Sequence, residues 1–345
     1  MTMDAGVRAH FLKQADACSR LGSPFTATLL ELAAERLDAR DIIGAKLLDW
    51  QGDPGTDALA LRFAGALHAL VLTRADGALS AVYPPHKFEP DALWQAVSHA
   101  MTAHTTHLKQ WLDQPPQTNE IRRAAMLLPG LLQAVRLTEK PVEILEIGAS
   151  AGLNLHLDRF GYHYGTTILG SADSTVQLAP EIRSAPPDLT GDLDIVDREG
   201  VDIAPLDPSD PDDRLRLMAY VWPDQPKRLS RLNAALDIAA SGDVRVARQD
   251  AADAVARFAI PHRGRLKLLV HTIMWQYLPE ATQVRIDASL ALAADLVTED
   301  APIGRLSLEP GPSGHAELRF CLWPQGIDQV LAYCDFHGRW IDWVG

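Results

Sequence analysis

The feature that most constrains this chain is an apolar run that ends in glycine: ValGluIleLeuGluIle at 142–147, followed at once by GlyAlaSerAlaGlyLeuAsn at 148–154. Six residues of this kind read as a buried strand, the small residues after them as a turn, and the chain from Gly152 onward as a helix. A strand that feeds a helix through glycines is the opening unit of a parallel sheet. It brings backbone amides to the carboxyl edge of that sheet, where ligands bind. Gly148 permits the tight turn, and Gly152 lets backbone approach both a ligand and the helix because it carries no Cβ.

The surrounding pattern agrees. Helical stretches at 119–137, 226–240 and 279–296 alternate with strand-like runs at 142–147, 244–247, 266–270 and 304–308, as expected for a mostly parallel sheet with helices on both faces. Runs at 317–322, 329–335 and 339–344 read as further strands joined by turns at 324–326 and 337–338. The first 112 residues differ. Apolar residues recur there every three or four positions over 11–21, 25–37 and 93–112, and 59–72 is apolar almost all round, so this part reads as buried helices. AspGlnProProGln at 113–117 stops the last of them and serves as a linker. The expected architecture is therefore a helical region, 1–115, packed over an α/β domain, 116–345. The domain is expected to be Rossmann-like, with seven strands, mostly parallel and closed by an antiparallel C-terminal strand.

Three chemistries compete for the glycine turn. The dinucleotide pattern GxGxxG fails at Ser150 and Leu153. The pattern GxSxG fits, with Ser150 as the nucleophile of a serine hydrolase, but that elbow normally follows several strands, and everything before residue 142 reads as helix. No HisGlyGlyGly-like segment supplies an oxyanion hole, and Glu146 would place a carboxylate in the strand leading to the nucleophile. In an S-adenosylmethionine-dependent methyltransferase of class I the same Glu146 accepts hydrogen bonds around the cofactor's methionine end. On that reading Glu146, Gly148, Ala149, Ser150, Gly152 and Asn154 line the cofactor, with Ser150 in place of the second glycine of GxGxG. A turn of small residues that holds no ligand also satisfies the pattern.

Two later segments suit the third chemistry. GlyValAspIleAlaPro at 200–205 resembles the second-strand motif in which an acid, here Asp202, accepts both ribose hydroxyls, as a carboxylate with two oxygens can. Its distance from Gly148 requires an insertion at 162–197. ArgGlnAspAla at 248–251 resembles the adenine-reading motif, with Asp250 accepting from the exocyclic amine and Ala251 offering its amide. The plain alternatives are a solvated loop carboxylate for Asp202 and a helix N-cap for Asp250.

For the transfer itself, His271 follows the strand at 266–270, where such folds present acceptor-side groups, and Trp275 and Tyr277 come just after it. His271 and Glu120 are the candidate catalytic residues; Asn119, Arg122, Trp275 and Tyr277 are candidates for the substrate pocket. Against this, a histidine beside a strand is commonly structural, and ThrAsnGlu at 118–120 is also a complete helix start, with a cap and an acid at the positive end of the dipole. His104 and His107 could share a helix face, but no acidic third ligand stands near them, so they read as surface residues and no metal is expected.

A net charge of −13 opposes indiscriminate binding to nucleic acid, and the unevenness along the chain, ten acids against Arg198 alone over 188–213, reads as a solvated face. Nucleic acid is therefore not the expected partner; a small-molecule methyl acceptor is. No apolar run long enough to span a membrane is present, and charges at Asp4, Arg8, Lys13, Asp16 and Arg20 interrupt the place of a signal peptide core, so a cytoplasmic protein is expected. Cys18, Cys321 and Cys334 are too few and too dispersed for a disulfide framework or a zinc site and read as buried thiols.

ProGlnThrAsnGlu (116–120), LeuGluIleGlyAlaSerAlaGlyLeuAsnLeu (145–155), TyrHisTyrGly (162–165), TrpProAspGln (222–225), CysLeuTrpPro (321–324) and GlyArgTrp (338–340) together resemble a bacterial family of uncharacterised proteins, domain of unknown function 2332. The likeness covers nearly the whole chain. It implies a methyltransferase-like fold without an established substrate. The sequence thus points to an S-adenosylmethionine-dependent methyltransferase of a small acceptor. A serine hydrolase using Ser150, or a protein that binds the cofactor without transfer, remain the alternatives.

Overall fold

A computed structural model describes residues 3–345. The chain forms two compact units. One comprises residues 3–118 together with Pro211–Ser230, and the other comprises Asn119–Asp210 and Arg231–Gly345. Pro211–Ser230, expected within the α/β domain, thus belongs to the helical unit.

The first unit is helical. Its helices Pro24–Arg36 and Leu59–Leu72 fall where apolar periodicity put them, while Met3–Arg20 begins eight residues before the stretch read from Phe11. Phe11, Leu30, Phe63, Leu67 and Val97 are fully buried in one cluster that also receives Trp222. Helix starts are fixed by short acceptors: Asp41 takes the amides of Ile43 and Gly44 at 2.8 and 2.9 Å, and Asp76 takes that of Leu79 at 2.8 Å. Asp224, from the TrpProAspGln segment, reaches back to the start of Pro24–Arg36. There it accepts from the Ser23 hydroxyl at 2.5 Å and the Phe25 amide at 2.9 Å. The run read as one helix over 93–112 is two, Pro90–Ala103 and Thr105–Leu112, because His104 leaves helical geometry at φ −117° while its Nε2 lies 3.1 Å from buried Asp76. His107 is likewise tied in, with Nε2 3.0 Å from the Ala66 carbonyl. Neither ring is the open surface residue expected.

The second unit is a mixed α/β body with strands β1 (Val142–Ile147), β2 (Gly161–Tyr164), β3 (Thr167–Gly170), β4 (Gln177–Leu178), β5 (Glu181–Ile182), β6 (Ile195–Asp202), β7 (Val246–Arg248), β8 (Leu266–Thr272), β9 (Ile303–Pro310), β10 (Ala316–Trp323), β11 (Ile327–Cys334) and β12 (Trp340–Trp343). Nine of them make one sheet in the order β5-β12-β11-β10-β9-β8-β1-β6-β7. The run β7-β6-β1-β8-β9 is parallel. The sheet has nine strands where seven were expected: beyond the five parallel ones, β10, β11 and β12, the three strands read at the C-terminal end, form an antiparallel meander where a single reversed strand was expected, and short β5 pairs parallel with β12 at the edge.

Register decides which side chains share a face. Glu146 pairs with Gly200 and with Val270, so these three point the same way, with Asp202 and Thr272 two residues further along their strands. Leu145, Ile147, Val201, Leu269 and His271 point the other way. There helices Ala251–Phe258 and Glu280–Ala294 close a core around Leu145, Ile147, Val201, Leu269, Ile286 and Leu290. Helix Ala124–Thr138, preceded by the 3-10 turn Ile121–Arg123, packs against β9 and β10.

The helix expected from Gly152 is a 3-10 segment, Leu153–Arg159, broken at His156. Side chains attend its carbonyls: Arg198 donates to that of Leu155 at 2.7 Å and the Tyr162 hydroxyl to that of Leu157 at 2.6 Å, competing with the amides of a continuing α-helix. The insertion folds as a small sheet, β3-β2-β4. In TyrHisTyrGly the alternation of a strand buries Tyr162 and Tyr164, and the Tyr164 hydroxyl donates to the Ala125 carbonyl at 2.6 Å.

Candidate functional site

The glycine turn leaves β1 at the carboxyl edge of the sheet, between the two directions in which strand order runs away from β1. Its backbone is left-handed at alternate residues, with φ of 66° at Gly148, 55° at Ser150 and 71° at Gly152. Such alternation turns successive amides inward, which favours an anionic acceptor. Here the acceptor is Asp202: its Oδ2 takes the Ser150 amide at 2.9 Å and its Oδ1 the Ala204 amide at 2.8 Å. The Ala149 amide donates to Val201 at 3.1 Å, and Leu206 donates to the Ser150 carbonyl at 3.1 Å. Asn119 Nδ2 reaches the Ala149 carbonyl at 3.0 Å. The turn is thus sewn to the end of β6 and to the segment before helix Ala124–Thr138.

What the glycines make room for is also settled by contact. A Cβ at Gly152 would meet Val246 at 2.9 Å, and one at Gly148 would meet the Met274 side chain at 2.9 Å. In both cases the neighbour admitted is a protein side chain, where the sequence suggested a ligand.

Glu146, at the end of β1, is buried and points to the same face as Asp202. Burial pushes its carboxyl up to about 8, against the opposing influence of a hydrogen bond from Asn154 and the nearby Arg123 guanidinium, and with Asp202 adding to the rise. It is therefore mainly a neutral acid at pH 7. Its Oε2 and the Asn154 Oδ1 are both buried without a hydrogen-bond partner among the described residues. Arg123, which sequence reasoning passed over for Arg122, donates to the Phe336 carbonyl at 3.1 Å and lies 3.4 Å from the Thr272 carbonyl at the end of β8. Arg122 instead presents its backbone to Gly338, where a Cβ would come within 2.6 Å of the Arg122 carbonyl. Adjacent arginines in a 3-10 turn face different ways, and nothing in ArgArg tells which enters the sheet. Glu120 is buried, with Oε1 accepting from the Arg122 amide at 3.2 Å.

At the end of β7, Asp250 caps helix Ala251–Phe258, accepting from Ala252 at 3.0 Å and Asp253 at 3.3 Å, with Arg285 at 3.4 Å; Ala251 is buried behind it. The plain N-cap reading thus describes Asp250 as it stands, and its second oxygen is not used by the cap.

His271 lies on the opposite sheet face, fully buried. Nδ1 is 2.7 Å from Glu309 Oε1, and Arg305 Nε donates to Nε2 at 3.0 Å. That pairing fixes the neutral tautomer with its proton on Nδ1, in keeping with burial, which lowers the imidazole's proton affinity although Glu309 opposes it. Trp275 stacks on the ring at 5.2 Å and on the Arg305 guanidinium at 4.2 Å, and Arg305 continues to Asp287 at 2.9 Å. To act as a base, the imidazole would have to release Arg305. Tyr277 is 74% exposed on the same turn.

The fold and site define a mixed α/β protein that gathers polar groups at the carboxyl edge of a large, mostly parallel sheet. Residues 8–343 match the model of a family described as uncharacterized protein conserved in bacteria (DUF2332), and the chain belongs to that family. Neither the curated proteins nor the solved structures give a match.

Proposed function

We propose that the α/β unit binds S-adenosylmethionine and directs its methyl group to a small-molecule acceptor. The observation that carries this reading is the placement of Glu146, Asp202 and Asp250 at or just past the carboxyl ends of the three neighbouring parallel strands β1, β6 and β7, around a left-handed glycine turn. Ligands of open α/β sheets bind at such a reversal of strand order.

The residues fit the group in chemical terms. Asp202 is held by one amide on each oxygen, which leaves acceptor capacity on both for a diol. The orphaned Asn154 Oδ1 is an acceptor suited to an ammonium group, and the Glu146 carboxyl becomes one when the arriving cation draws off its proton. Asp250 has an oxygen to spare for an amine. The cofactor, when bound, supplies an activated methyl on a sulfonium. The chain's part is to orient that group and exclude water, since effective molarity supplies much of the rate in such displacements. On this reading the proton is taken by Glu120, the residue after Asn119, whose own side chain reaches the turn.

Ser150 keeps one feature of a hydrolase elbow, its left-handed backbone. The histidine–carboxylate pair that a hydrolase would require, His271 with Glu309, has its second nitrogen held by Arg305. A fluorophosphonate probe should therefore leave the protein unlabelled. Methyl-labelled S-adenosylmethionine, incubated with the protein and a low-mass bacterial extract, should pass label to a small molecule, and Asp202→Asn should reduce that transfer at least ten-fold. Probe labelling that vanishes in Ser150→Ala, or transfer that ignores Asp202→Asn, contradicts the proposal.

A further inference from the structure

The segment after β8 crosses the sheet edge toward the glycine turn, and several independent features converge on it. Ile273 holds φ 48°, a left-handed conformation that a β-branched residue rarely adopts and that persists only where surroundings impose it. The next residue, Met274, lays its Cβ, Cγ and Cε on the side of Gly148 where a side chain would be, within 2.9 to 3.0 Å of that position. Its amide is held by both Glu309 oxygens at 3.2 and 3.1 Å. Glu309 is in turn held by His271, His271 by Arg305, and Arg305 by Asp287 of helix Glu280–Ala294. From the other side Gln283 Nε2 donates to the Trp275 and Leu278 carbonyls at 2.9 and 3.2 Å.

The contact between Met274 and Gly148 joins the loop after β8 to the loop after β1. Those two strands are neighbours at the point where strand order reverses, so the contact spans the crevice in which a ligand of this sheet would lie. We propose that Met274 is a latch across this crevice, and that Glu309 and His271 are positioning residues that set it. The inference rests on the crevice being the ligand site proposed above.

The chemistry of the chain explains why these residue types are needed. Arg305 can only donate, so His271 Nε2 must accept and Nδ1 must carry the proton, which leaves Glu309 as the acceptor for both the imidazole and the Met274 amide. A glutamine at 309 would offer one oxygen for two donors and turn an NH2 toward a protonated nitrogen. It should release the turn while keeping the same volume. Met274→Ala acts differently: it leaves the relay whole and removes only the side chain that touches Gly148.

Hydrogen exchange on the full chain, followed residue by residue, reads both arms without any ligand. In Met274→Ala the amides of 148–152 should exchange at least ten-fold faster, with those of Leu266–Thr272 unchanged. In Glu309→Gln the amides of 274–277 should join them. Rates at 148–152 that match the parent in Met274→Ala overturn the latch, as does a rise shared by the whole sheet in both variants. Stopped-flow mixing with S-adenosylmethionine adds the functional arm, where Met274→Ala should associate at least five-fold faster than the parent. Association that is slower or unchanged overturns the latch. If parent and variant both fail to bind, the proposed cofactor is wrong, and the exchange result alone decides whether Met274 closes the crevice.

Discussion

Glu146 shows most directly what burial does to a single group. Its carboxyl stays protonated up to about 8 in the folded chain, while the unfolded chain ionises near the ordinary 4.5. Between those values the unfolded state binds fewer protons, so stability falls as pH rises, and above about 8 the loss is complete. Over that window the loss is on the order of a few kcal/mol. Glu146→Gln, which cannot ionise, should flatten this limb, so that its melting temperature exceeds the parent's at pH 9 and approaches it near pH 4.5. A parallel pH dependence in the two proteins would show that the carboxyl is not buried as described. His271→Ala belongs at the same scale. It takes one hydrogen-bond partner each from the partly buried Glu309 and Arg305, at about 1.5 to 3 kcal/mol for each bond to a charged group before non-additivity, and urea unfolding should register it whatever the protein's activity. At this scale the sequence was legible for Asp202 and Asp250, whose positions follow from a strand ending in an acid. It was not legible for His271, because the face a side chain takes depends on register with β1 and β9. Nor was it for Arg123, because the phase of a 3-10 turn is not written in two adjacent arginines.

Among elements, the helix Pro24–Arg36 carries the clearest dependence on a distant residue. Ser23 and Pro24 are an ordinary helix start, but the Phe25 amide and the Ser23 hydroxyl are both satisfied by Asp224, some two hundred residues on. Asp224→Ala removes two hydrogen bonds to a charged acceptor and should destabilise the helical unit by about 2 to 4 kcal/mol, at about 1.5 to 3 for each such bond before non-additivity. Chemical denaturation followed by far-UV circular dichroism measures it; a variant as stable as the parent would mean that Ser23 suffices alone. Most helices and strands were readable from apolar periodicity, including the full extent of Leu59–Leu72. Leu153–Arg159 was not, since its apolar residues have helical spacing. Its carbonyls are contested by the Arg198 guanidinium from β6 and the Tyr162 phenol from β2, and periodicity contains no trace of that competition. The meander β10–β12 was read as three strands, yet its pairing order came only from the structure.

For the molecule as a whole, the division into units follows contact rather than chain order. Residues 3–118 look self-sufficient, with their own apolar periodicity and a proline stop. The core they form nevertheless takes in Trp222, the Asp224 carboxylate and the Ala219 carbonyl, which lies 3.1 Å from the buried His68 Nδ1. A fragment ending at residue 118 should therefore lack a cooperative thermal transition, and one that melts sharply at the parent's temperature would refute the role given to Pro211–Ser230. No helix among the described residues is long and apolar enough to cross a membrane. If the sheet's carboxyl edge holds S-adenosylmethionine, calorimetric titration with it should show saturable one-to-one binding. Asp202→Asn should weaken that binding by about 1 to 3 kcal/mol, roughly five- to 150-fold, while its thermal transition stays cooperative. Absence of binding heat in the parent, or equal affinity in parent and variant, would contradict binding at that edge.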